Sequence, residues 1–198
     1  IVPAFFLYGY LLRVVREGMV EGEEPPGFDE WGTLLRDGVV AVLIVLVYQF
    51  VPLLVAAVTV GGSVLALLTG TDVGVGVGLF GLFAGLALSA VLALVFGYVT
   101  PIGVANYAHE GEVAAAFDTA VLRTVALDGA YAVPWLYGVA LLLVANVVAG
   151  ILGFVPIVGV FVVFYAQVAA AWVWGKGFAD AMGLDDGAAA GADRQPQP

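Results

Sequence analysis

Uncharged apolar runs recur along this chain, separated by short charged segments. Residues 39–60 form 22 positions without a charge, broken only by Gln49, Pro52 and Thr59. A hydrocarbon core about 30 Å thick is crossed by about 20 helical residues at about 1.5 Å each, so this run predicts a membrane-spanning helix. Pro52 predicts a kink in it, because membrane helices tolerate proline when neighbours satisfy the freed carbonyl. Residues 79–100, 133–150 and 156–174 predict three more spans. Between the first two, residues 61–78 carry Thr71, Asp72, Gly74, Gly76 and Gly78 and predict a glycine-rich connection. Residues 153–159 predict the tight turn of a helical hairpin. The chain opens within another apolar run, 1–12, which is too short to cross alone and is read as a truncated first span. Arg13 and Arg16 follow that run, whereas the charges of a secretory signal precede its apolar stretch. The expectation is an all-α integral membrane bundle of about five spans arranged as helical hairpins.

Two polar segments between spans carry a different period. On a wheel of about 100° per residue, Phe28, Trp31, Leu34 and Leu35 fall on one side, and Asp29, Glu30, Thr33, Arg36 and Asp37 fall opposite. Phe117, Val121 and Val125 likewise share a face away from Asp118, Thr119 and Arg123, with Leu122 misplaced. Residues 28–36 and 113–127 therefore predict two interfacial amphipathic helices. The same segments hold dipeptides in matching order: Gly9-Tyr10 with Gly97-Tyr98, Glu17-Gly18 with Glu110-Gly111, Phe28-Asp29 with Phe117-Asp118, and Asp37-Gly38 with Asp128-Gly129. That order predicts an internal duplication. Residues 183–198, rich in Gly, Ala, Asp, Gln and Pro, have no apolar periodicity and predict a disordered acidic tail.

Composition agrees with the pattern: 63% of residues are hydrophobic, 11% are charged, and the mean hydropathy is +1.08. Soluble domains carry about a quarter charged residues. The inventory of reactive groups is poor, with no Cys, one His and two serines, Ser63 and Ser89. Disulfides and thiolate metal sites are excluded, His109 alone makes no multi-histidine site, and Lys176 lacks a glycine-rich phosphate loop. No catalytic residue, cofactor or metal is expected. A Ser89–His109 couple would join a mid-span serine to a polar elbow beyond the span's end. The net charge of −10 repels phosphates, so no nucleic-acid partner is expected. The acidity also points to a salt-loving host, because a Debye length of about 3 Å in molar salt makes a dense acidic surface tolerable.

Three sets of residues remain as candidates. Gly81, Gly85 and Ser89 repeat at four-residue spacing and offer one small face for close helix packing, although glycine is abundant throughout, at 27 residues. Gln49, Asn146 and Gln167, with Thr59, are the polar groups inside the spans; they fit helix-to-helix hydrogen bonding or the lining of a path for an uncharged substrate. Asp37 and Asp128 each precede a glycine and a predicted span, the place of a helix-start cap. Among basic residues, Arg13, Arg16, Arg36, Arg123, Lys176 and Arg194 all avoid 61–78 and 151–155, which puts the C-terminus and both amphipathic helices on the cytoplasmic side of the cell membrane.

The stretches 9–14, 24–32 with Asp37-Gly38, 164–171 and 175–180 carry a resemblance. They read Gly-Tyr-Leu-Leu-Arg-Val, Glu-Pro-Pro-Gly-Phe-Asp-Glu-Trp-Gly, Phe-Tyr-Ala-Gln-Val-Ala-Ala-Ala and Gly-Lys-Gly-Phe-Ala-Asp. The chain resembles the polytopic membrane family known as domain of unknown function four-zero-one-three, common in haloarchaea, and the Pro-Pro-x-Phe-Asp-x-Trp-Gly stretch is its most specific part. The resemblance implies a further apolar helix before the Gly-Tyr-Leu-Leu-Arg segment and brings no catalytic or binding residues. The functional expectation is a non-enzymatic scaffold or partner-binding membrane protein, with membrane lipids and a second copy or another membrane protein as partners. The alternative is a transporter or permease for an uncharged or lipid-like substrate.

Overall fold

The computed structural model describes residues 2–22, 24–154 and 156–184. They form six α-helices and one short 3-10 helix, with no strand among the described residues. These are α1 (Val2–Met19), α2 (Trp31–Leu68), α3 (Asp72–Glu110), the 3-10 helix Val113–Phe117, α4 (Thr119–Ala126), α5 (Gly129–Ile151) and α6 (Pro156–Met182). Four of them, α2, α3, α5 and α6, are long and apolar enough to cross a membrane. The fifth expected span, α1, falls short of that standard: Arg13, Arg16 and Glu17 crowd its last turns.

The principal departures from the sequence-based expectation concern glycine. The amphipathic helix expected at 28–36 is not separate, because α2 runs unbroken from Trp31 to Leu68. Asp37-Gly38 is helical here, and Gly38 serves close approach: a Cβ on it would collide with the Phe5 carbonyl of α1, and one on Gly9 with the Leu34 carbonyl of α2. Residues 61–78 are likewise helical except around 69–71, where Gly70 at φ +65° turns the chain. Glycine's helix penalty of about 1 kcal/mol is overridden in a bilayer, where an unpaired backbone group costs several kcal/mol. The amphipathic segment at 113–127 is divided between the 3-10 helix and α4 at Asp118, which caps α4 by accepting from Ala120 N–H at 2.8 Å. Gly183, at φ +66°, follows α6, and the expected disordered tail lies outside the described residues from 185 onward.

The chain divides into two compact units, Ile1–Val42 with Pro101–Pro198, and Leu43–Thr100. The second unit is an antiparallel hairpin made by the apolar lengths of α2 and α3. Its seam is built from small and hydroxyl residues: a Cβ on Gly81 would lie 2.5 Å from Ser63 Oγ, and one on Gly85 2.8 Å from Thr59 Oγ1. Thr59 and Ser63 spend their hydroxyls on the carbonyls one turn back, Val55 at 2.7 Å and Thr59 at 2.6 Å. The outer faces carry exposed Phe50, Leu53, Val58, Phe80, Phe83 and Leu94, as lipid contact requires.

In the first unit α1 runs parallel to α6, Tyr10 meeting Phe164 with ring centres 6.0 Å apart and Glu21, just past α1, pairing with Lys176, and the two approach closely where Gly18 lies against the Trp172 carbonyl and Gly175 against the Val15 carbonyl. The α5–α6 hairpin closes through Gly138 against Trp174 and Gly159 against Ala149. Leu12, Val14, Leu34, Ile102, Tyr131 and Phe178 are fully buried at the centre of this unit.

Candidate functional site

The charged residues of the first unit gather where α1 and α6 end and α2 begins. Arg16, on the last turns of α1, donates from one terminal nitrogen to Asp37 Oδ2 at 2.8 Å and from Nε to the Ala108 carbonyl at 3.0 Å. One side chain thereby joins α1, α2 and α3. Asp37 is only 6% exposed, and such charge-assisted bonds contribute about 1.5–3 kcal/mol each. Beside it, Asn106 is 2% exposed and donates from Nδ2 to the Ala115 carbonyl at 2.7 Å, which ties α3 to the 3-10 helix.

Residues 20–22 and 24–30 form a strap that folds back over α1 and α6. Arg13 donates to the Gly27 carbonyl at 3.1 Å and to Asp29 at 3.0 Å, and lies 3.7 Å from Glu30. Phe28 stacks flat on Tyr10 with ring centres 4.1 Å apart, and Trp31 meets Phe6 edge-on at 5.4 Å. On the α6 side, Trp172 Nε1 donates to the Gly22 carbonyl at 3.2 Å and Lys176 pairs with Glu21. The glutamates at 21 and 30 sit at φ 52° and 51°, so a left-handed residue lies near each end of the strap.

The residues singled out from sequence are distributed differently from one another. Gly81 and Gly85 line the hairpin seam, and Ser89 continues their face with an Oγ that is buried and has no hydrogen-bond partner. Asn146 is exposed and donates to the Leu142 carbonyl of its own helix at 2.7 Å. Gln49, in the second unit, and Gln167, in the first, are half-buried. Among the described residues, open and mainly apolar grooves lie between α5 and α6, among α1, the strap and α6, and around Phe6, Phe28 and Phe164. None of these three is lined by Gln49, Asn146 or Gln167.

The two aspartates have unlike roles. Asp128 is the N-cap of α5 and accepts from Ala130 N–H at 2.8 Å. Asp37 is no cap, because α2 has already begun at Trp31, and its carboxylate is taken by Arg16. Matching dipeptides therefore occupy different surroundings: Gly38 touches α1, whereas a Cβ on Gly129 would meet nothing within 4 Å. The sequence pattern missed Arg16, Asn106 and the strap. The available signal was an amide at 106 inside the otherwise apolar stretch 101–108, and arginines at 13 and 16 directly after an apolar run. No group of three or more His, Cys, Asp or Glu able to hold a metal ion occurs among the described residues.

Four apolar spanning helices, lipid-facing outer surfaces and a charged end braced by internal pairs define a multi-pass, all-helical membrane protein. The chain belongs to the family described as Protein of unknown function (DUF4013), whose family model matches residues 1–154. No curated protein and no solved structure matches it.

Proposed function

We propose that this protein is a non-enzymatic membrane scaffold that presents its charged end to partner proteins. The observation that carries the reading is the Arg16 brace to Asp37 and Ala108, flanked by Arg13–Asp29 and Lys176–Glu21. These cations are spent on holding helices and strap together, which suits a preorganised surface. Proton-coupled transport and acid–base catalysis instead call for ionisable groups exposed to a substrate path or cleft. The membrane is a cell membrane, with the C-terminus, the start of α2 and α4 on its cytoplasmic face, as the distribution of Lys and Arg implies. The excess of 16 acidic over 6 basic residues favours a salt-loving, haloarchaeal host. The recurring dipeptides favour an origin by duplication with later divergence, Asp37 taking an ion pair where Asp128 caps a helix. Lipids surround the spans, and a second copy is among the partners the scaffold admits.

The second reading, a permease for an uncharged or lipid-like molecule, draws on the α5–α6 groove, whose lining of Leu141, Val144, Val148, Phe161 and Val162 suits an acyl chain. Affinity capture of the tagged protein from its native membranes, without added ligand, separates the two. A stoichiometric protein partner supports the scaffold; a stoichiometric small molecule or lipid with no protein partner supports the permease.

A further inference from the structure

The groove among α1, the strap and α6 differs from the other two in carrying acids. It encloses about 540 Å³. Its floor is aliphatic, from Val168 and Ala169; Tyr165 and Trp172 present aromatic rings; and Glu17 and Glu24 stand on its rim. The neighbouring carboxylates are satisfied, Glu21 by Lys176 and Asp29 by Arg13. Glu17 and Glu24 have no cationic partner among the described residues. An apolar floor with aromatic walls and two unpaired carboxylates is complementary to a cation on an aliphatic stem, through ion pairing and cation–π contact. Membrane proteins carry such cations in their cytoplasmic juxtamembrane segments, where Lys and Arg are in excess. An anionic phospholipid is the poorer match, because its phosphate would face the two glutamates, and a zwitterionic headgroup, whose ammonium is terminal, is the competing occupant that the test separates.

We infer that this groove docks a basic juxtamembrane segment of a partner membrane protein, a Lys or Arg stem lying on Val168 and Ala169 with its charge between Glu17, Glu24 and the Tyr165 ring. The inference rests on the scaffold reading and names its partner class. Docking by this route is salt-sensitive at the rim and less so on the floor.

The test uses the full chain in nanodiscs of neutral phosphatidylcholine and a short fluorescein-labelled peptide of Lys, Arg, Leu and Trp, read by anisotropy at low ionic strength. The peptide binds the unaltered chain and a Glu-for-basic counterpart does not. E17Q/E24Q weakens binding about tenfold or more, Y165A weakens it measurably, and E110Q/E112Q, which removes exposed acids elsewhere, leaves it unchanged. Tyr165 is 67% exposed, so Y165A keeps the inference testable if E17Q/E24Q fails to fold. Equal binding by E17Q/E24Q overturns the inference, as does an equal loss in E110Q/E112Q or displacement of the peptide by vesicles containing phosphatidylethanolamine. A native partner retained by E17Q/E24Q removes the groove while the scaffold stands; a native membrane preparation in which the unaltered chain has no protein partner removes the scaffold itself.

Discussion

Arg16 and Asp37 lie 21 positions apart, and only the crossing of α1 over α2 brings them to 2.8 Å. Asp37 is nearly buried while the Arg16 side chain is 37% exposed, so the pair sits between a surface bridge and a fully buried one. Replacing Asp37 with Leu strands the guanidinium, and a cost of about 2–3 kcal/mol is expected, below the largest losses for fully buried pairs. R16L/D37L should recover part of that loss, which thermal unfolding of the four cycle members in detergent measures. Asp128 gives a contrasting case. As an N-cap with one 2.8 Å bond, its replacement by Ala should cost about 1 kcal/mol, with no rescue by any change at Arg16. Asp-Gly reads alike at 37 and 128 because a dipeptide records neither what precedes it nor what crosses it. At 37 the glycine admits α1; at 128 the aspartate begins a helix.

At the level of elements, the spans themselves were legible, because a long uncharged run in a bilayer has one economical backbone solution. Their ends were not. Residues 61–78 look like a loop by soluble standards, yet Gly74, Gly78, Gly81 and Gly85 place α3 against Ala66, Leu67, Ser63 and Thr59 of α2 respectively, and the glycines are what the contact requires. The stripe of Gly81 and Gly85 was visible in the sequence; its partners were not, since Thr59 and Ser63 gain meaning only when the hairpin closes. Gly85→Leu would drive a side chain into Thr59, whose Cβ lies 2.9 Å from an added Cβ, and a loss of about 1–3 kcal/mol is expected. Leu82→Ile should change the melting temperature little; equal melting of the two variants would place the glycine face in lipid. The strap was the least legible element. Its last residues, 28–30, read as the first turn of the amphipathic helix expected at 28–36, but Tyr10–Phe28 stacking and the Arg13 bonds fold them back on α1.

For the whole molecule, sidedness is the first property to test. Ser63, which the sequence places in a connection outside the spans, is 7% exposed within the α2–α3 seam, so it is unsuited to a labelling experiment. Thr69, exposed at the tip of the hairpin, takes its place. Because the chain has no native cysteine, Thr69→Cys in intact cells should react with a membrane-impermeant maleimide. Labelling only after lysis would invert the topology and move the braced charged end outside. The scaffold reading itself is reached most directly by native mass spectrometry of the protein extracted with its surrounding lipid. A scaffold should appear as a species heavier than one chain by the mass of at least one partner polypeptide, surviving removal of bound lipid. A lone chain carrying a stoichiometric small molecule, with no polypeptide partner, would contradict it.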